Sequence, residues 1–102
     1  MIDIVKNKQR SIEEICQKYL VKSLFLFGSA AKGNFSNESD LDFVVEFKEE
    51  VSPVDFADYF FGLQEDLKQL LNKEIDLLSK RAIRNSIIIS EIEKSKVPVY
   101  AA

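Results

Sequence analysis

The 102-residue sequence predicts an α+β (α/β-like) fold, a small mixed β-sheet with helices packed on it, in the order helix, strand, strand, helix, strand, helix, short strand. Three observations predict it. Apolar residues fall at helical spacing in three segments, 11–20, 56–71 and 81–94. Short apolar runs bounded by Gly, Asn, Ser or Pro separate them, at 23–27, 40–47, 74–79 and 97–100. No internal repeat or low-complexity tract interrupts the pattern, and the length fits one domain spanning residues 1–102.

The first helix opens at Ser11 with acidic Glu13 and Glu14 in its first turn and can reach back to Asp3. Its apolar positions are Ile12, Ile15, Cys16, Tyr19 and Leu20, which makes Cys16 a core residue rather than a reactive thiol. The run Ser23-Leu-Phe-Leu-Phe reads as a buried strand that leaves the sheet at Gly28, and residues 33–39, rich in Asn, Ser and Gly, read as a loop. In the next strand Leu41, Phe43, Val45 and Phe47 point one way, and Asp40, Asp42, Val44 and Glu46 the other. One face packs; the other carries carboxylates, with Glu46 expected to be solvated.

A helix can begin near Pro53, with Phe56, Tyr59, Phe60, Leu63, Leu67, Leu70 and Leu71 on one side and Gly62 as a weak point. Val54 and Phe61 lie on its opposite side. In the strand 74–79, Asp76 faces away from Ile75 and Leu77. The last helix carries Ile83, Ile87, Ile88, Ile89 and Ile92 around most of its circumference, a pattern expected of burial on more than one side. Pro98 confines the final strand to an edge or a terminal position.

Composition narrows the chemistry. A net charge of −3 argues against a broad basic face for nucleic acid. One cysteine and no histidine exclude an internal disulfide and a cysteine-based zinc site, and leave carboxylates, lysines, tyrosines and hydroxyls for any acid–base or metal work. The N-terminus has no secretory signal and no run approaches membrane-spanning length, so a cytoplasmic location is expected.

Asp40 and Asp42, two apart on a strand, project from one face and call for a shared proton, a basic partner or a hard cation such as Mg²⁺. Alone, such a pair is more often a solvated strand edge or loop end. An EF-hand would need an oxygen ligand near Val44 and a glycine soon after; an aspartyl phosphotransferase would place its apolar strand before the first Asp. Gly28-Ser29, ten residues earlier, changes the balance. Glycine lets a ligand approach the backbone, and Ser29 could cap a short helix whose N–H groups receive a phosphate, with Lys32 adding positive charge.

The stretch Gly28-Ser29-Ala30-Ala31-Lys32-Gly33 through Ser39-Asp40-Leu41-Asp42 resembles the signature of the DNA polymerase beta-like nucleotidyltransferase superfamily, and most closely its minimal nucleotidyltransferases. Lys32 departs from the arginine of many relatives and loses bidentate phosphate recognition. The resemblance implies the polymerase beta-like fold, with Gly28 and Ser29 holding the triphosphate tail of ATP. It makes Asp40 and Asp42 ligands of one Mg²⁺, and Asp42 with Asp76 ligands of a second that activates the acceptor hydroxyl. Minimal nucleotidyltransferases also resemble antitoxins that silence a helical HEPN ribonuclease toxin by AMPylation of a tyrosine. Val54, Phe61 and the Ile88, Ile89, Ile92 surface are then candidate partner contacts, or else core or homo-oligomer residues. A binding-only antitoxin, and transfer to a small-molecule or RNA acceptor through a separate subunit, are the alternatives.

Overall fold

The two apolar periodicities reappear as a four-stranded sheet with helices on it. The computed structural model describes residues 3–31 and 40–102, with the backbone alone at 29 and 30; the expected loop at 33–39 and Lys32 lie outside the described residues. In chain order the elements are α1 (Asp3–Lys6), α2 (Gln9–Lys18), β1 (Val21–Phe27), α3 (Gly28–Ala31), β2 (Leu41–Phe47), α4 (Phe56–Leu71), β3 (Ile75–Ser79), a 3₁₀ turn (Lys80–Ala82), α5 (Ser86–Ser95) and β4 (Val97–Ala101). The strands lie in the order β3-β2-β1-β4. β1 is antiparallel to both of its neighbours, while β2 and β3 run parallel. Parallel neighbours require a crossover, and α4 supplies it. β4 sits at the sheet edge, as its proline requires, with Pro98 exposed.

One sheet face is the main core. Leu24 and Leu26 of β1 and Leu41, Phe43 and Val45 of β2 are fully buried beneath Ile12 and Cys16 of α2 and Leu63 and Leu67 of α4. Each such side chain contributes about 1.5–3 kcal/mol through removal from water. α2 and α4 also pack on each other. There Gly62 makes room: a Cβ on it would lie 2.6 Å from Cε1 of Tyr19. The Tyr19 hydroxyl donates to Asp66 at 2.9 Å, and Lys18 Nζ donates to the same carboxylate at 3.0 Å. Gly62 does not break α4, and it is a contact point between the helices. α4 ends at Asn72, whose φ of 52° is left-handed and whose N–H donates to Lys68 O.

The opposite face is only partly what period two predicts. Cross-strand pairing aligns Phe27 with Asp42, Phe25 with Val44 and Ser23 with Glu46 on this side. Val44 is 2% exposed although it shares the carboxylate face, because α5 lies over this side of the sheet with Ile89 and Ile92 near Phe25. The last helix differs from expectation in two ways. It is split: after the 3₁₀ turn the chain is extended at Ile83, and α5 starts only at Ser86, where the Asn85 side chain accepts from the N–H groups of Ile87 and Ile88 at 2.8 and 3.4 Å. Nor is it buried all round, since only Ile92 is buried and Ile87, Ile88 and Ile89 are exposed.

Candidate active site

The site is assembled by register. β1 places Phe27 beside Asp42, and the parallel β2–β3 pair places Asp42 beside Asp76. Cross-strand partners share a face, so both carboxylates and the start of α3 gather at one end of the sheet. Gly28, the first residue beyond β1, has φ +73°, the left-handed region that a side chain disfavours. A Cβ there would lie 2.5 Å from Asp42 Oδ2. Glycine at this position therefore leaves space for the Asp42 carboxylate, beside the ligand-approach role expected of it. Spacing alone did not reveal that second role.

Asp42 is half-buried, and Asp40 and Asp76 are exposed. Burial is the main cause that holds the Asp42 carboxyl above its ordinary range; the negative charges of Asp76 and Asp40 add to it, and so does a hydrogen bond with the Asp76 carboxyl. Two carboxyls within hydrogen-bond reach hold one proton between them or surround a cation. An all-oxygen donor set suits a hard ion such as Mg²⁺, which needs few protein ligands when substrate phosphates and water complete its shell. In the described arrangement no three acidic, histidine or cysteine side chains converge on one point, among the described residues. The fit thus rests on the Asp42–Asp76 pair, with Asp40 adjoining through its charge.

The expected site residues divide accordingly. Gly28, Asp42 and Asp76 are brought together, and Asp40 immediately precedes β2 at the same end. Ser29 lies in the backbone of α3 with its side chain not described, and Lys32 is outside the described residues. Glu46 overturns its expected solvation. It is partly buried and paired with Lys80 at 3.6 Å and Lys22 at 3.9 Å, and the Ser23 hydroxyl donates to it at 3.5 Å. The register that joins Asp42 to Asp76 brings Val45 to Ser79, so Lys80 follows next to Glu46. That pairing could have been read from the sequence once β2 and β3 were set in parallel.

An acid pair beside a glycine-led turn defines a class of phosphate-handling enzyme, and the comparisons place the chain within it. Residues 8–99 match the nucleotidyltransferase domain family, and the chain belongs to that family. It is similar to MJ1379 of Methanocaldococcus jannaschii, named for a protein adenylyltransferase activity, with 42% identity over 95% of this chain and 92% of that one. Among solved structures it resembles a chain of a toxin–antitoxin crystal structure with AMP-PNP, at TM-score 0.71 and 17% identity over 92% of this chain and 73% of the other. A minimal nucleotidyltransferase structure matches at TM-score 0.70 and 23% identity, over 95% and 96% of the two chains. A complex of a tri-AMPylated Shewanella oneidensis HEPN toxin with an MNT antitoxin matches at TM-score 0.65 and 14% identity, over 96% and 73%. The fold is thus that of a minimal nucleotidyltransferase, and the enzyme class is nucleotidyltransferase. No helix among the described residues is long and apolar enough to cross a membrane.

Proposed function

We propose that this chain, as one domain over residues 1–102, transfers AMP from ATP to a tyrosine hydroxyl of a cognate HEPN-type toxin in the cytoplasm and thereby acts as its antitoxin. The observation that carries the reading is the in-register meeting of Asp42 and Asp76, with Gly28 packed against Asp42. The names of the curated relatives and of the toxin–antitoxin neighbours support the acceptor class.

In this reading the backbone at Gly28 and Ser29 receives the triphosphate tail, and Lys32 adds a cation to it. Asp40, Asp42 and Asp76 would hold Mg²⁺, two ions in the full set. Bound there, Mg²⁺ neutralises phosphate charge and lowers the pKa of the acceptor hydroxyl. The acceptor oxygen forms a bond to the α-phosphorus as the bond from that phosphorus to the β-bridging oxygen breaks. Pyrophosphate leaves, and the hydroxyl proton passes to solvent. The chain's contribution is placement: β2 and β3 fix the two carboxylates on adjacent strands, and α3 begins beside them.

The test incubates the purified chain with the co-expressed toxin, Mg²⁺ and α-labelled ATP. Label should move to the toxin, and Asp42→Asn or Asp76→Asn should reduce transfer by about a thousandfold or more while circular dichroism stays native. Undiminished labelling by Asp42→Asn would refute the site. Full protection of cells by Asp76→Asn would instead identify a binding-only antitoxin.

A further inference from the structure

The three exposed isoleucines of α5 follow one another in sequence, with exposures of 72% at Ile87, 42% at Ile88 and 43% at Ile89. Single exposed apolar residues are ordinary, but a cluster adjoining a groove marks a contact surface. A groove of about 250 Å³ runs beside Ile88, bounded by Leu78 of β3, Ala82, Ile83 and Arg84. A cation borders it: Arg84 is exposed and donates to Arg81 O at 2.6 Å, and exposed Arg81 lines the adjoining recess with Pro53 and Phe56; among the described residues neither guanidinium is paired with a carboxylate. The acidic residues of α5, Glu91 and Glu93, come only in its second half. Val54 and Phe61, the other large apolar residues exposed among the described residues, lie apart from this cluster, with Phe61 edge-on to Phe60 at 5.3 Å.

We propose that the N-terminal half of α5 and the groove between it and β3 form a docking surface for an amphipathic segment of the protein acceptor, apolar along its centre and acidic along its flank. The proposal rests on the protein-directed reaction above and names where the acceptor is held. Two observations choose this occupant. First, the exposed guanidinium of Arg84 at the groove, with exposed Arg81 adjoining it, complements carboxylates on a partner segment. Second, Leu78 lies two residues beyond Asp76 on the same side of β3, a separation of about 7 Å. A segment seated beside Leu78 and Ile88 therefore passes close to the acid pair, within reach for a hydroxyl it carries. Ile92, one of the contacts expected from sequence, is buried and excluded from the surface.

Two measurements test this. In the first, two labelled 18-residue helical peptides share a leucine stripe and differ in flanks of glutamate or lysine, and their binding to the full chain is followed by fluorescence anisotropy. The glutamate peptide should bind at least about tenfold tighter; Arg81→Glu/Arg84→Glu should abolish that preference, and Ile87→Ser should weaken both peptides. Equal or tighter binding of the lysine peptide, or of a single-stranded RNA that outcompetes the glutamate peptide, overturns the proposal. In the second, the labelling assay is run with the same variants. KM for the toxin should rise about tenfold or more, with KM for ATP within twofold of the unsubstituted chain. An unchanged toxin KM overturns the docking surface and leaves the reaction standing. If the unsubstituted chain labels no toxin, the reaction fails, and the peptide arm alone decides the surface. Conversion of a dimer to a monomer by Ile87→Ser in sedimentation equilibrium assigns the face to a second copy and also overturns the proposal.

Discussion

Asp42 carries the electrostatic strain of the molecule. Its carboxyl is held above the ordinary value of 3.8, chiefly by burial and then by Asp76 and Asp40. A raised carboxyl in the folded state means that the native protein retains a proton which the unfolded chain has released. Its contribution to stability is therefore full below about 3.8 and is lost as pH rises through the raised value. At neutral pH without divalent ions, Asp42→Asn removes that penalty and keeps the shape that fits against Gly28. Its Tm should equal or exceed that of the unsubstituted chain at pH 7, the difference should narrow as pH falls toward 4, and added Mg²⁺ should raise only the unsubstituted Tm. A Tm several degrees lower for Asp42→Asn in EDTA at pH 7 would contradict this. The residue types of the site were legible from the sequence, because Gly28, Asp40 and Asp42 lie in one short stretch. The contact of Gly28 with Asp42 was not, since it depends on the antiparallel register of β1 and β2.

At the scale of elements, α5 departs furthest from its sequence pattern. Ile83 and Ile87 keep helical spacing, so periodicity extends the helix back to Arg81, yet after the 3₁₀ turn the chain is extended at Ile83 and Asn85. The overlooked signal was Asn85-Ser86, since asparagine competes with the backbone as a cap. Because Asn85 accepts from two N–H groups of the first turn, Asn85→Ala should cost about 1 kcal/mol in urea unfolding, and Asn85→Asp should recover most of it. No change in the midpoint for Asn85→Ala would show that the turn is held by other means. The exposure of Ile87, Ile88 and Ile89 has a related origin. An apolar circumference predicts burial, but not whether the chain itself or another molecule supplies the cover. The strands and α4 were legible to within a few residues because each buries a face within the chain.

For the molecule as a whole, the sheet divides structure from chemistry. One face, under α2 and α4, is continuous core, and the other bears the acid pair, the Phe25–Val44 contact and the Glu46–Lys80 pair in successive rows. Cys16 reports on the core side. Its thiol is fully buried and pushed up to about 12, by burial first and by the Glu13 charge second, from an ordinary 9.0. At pH 8 iodoacetamide should therefore modify the native chain at least about a thousandfold more slowly than the urea-unfolded chain, with the rate tracking loss of circular dichroism. Rapid alkylation in native buffer would place Cys16 outside the core. The sheet order was not legible from the element sequence, because several arrangements of four strands satisfy the same alternation and only long-range pairing chooses among them. That pairing also sets a timetable. As the chain leaves the ribosome, Gly28 and Asp42 can meet once the adjacent strands β1 and β2 pair, but Asp76 arrives only after α4 has crossed the sheet. A half-made copy thus lacks the acid pair, which comes together only when β3 closes in parallel beside β2.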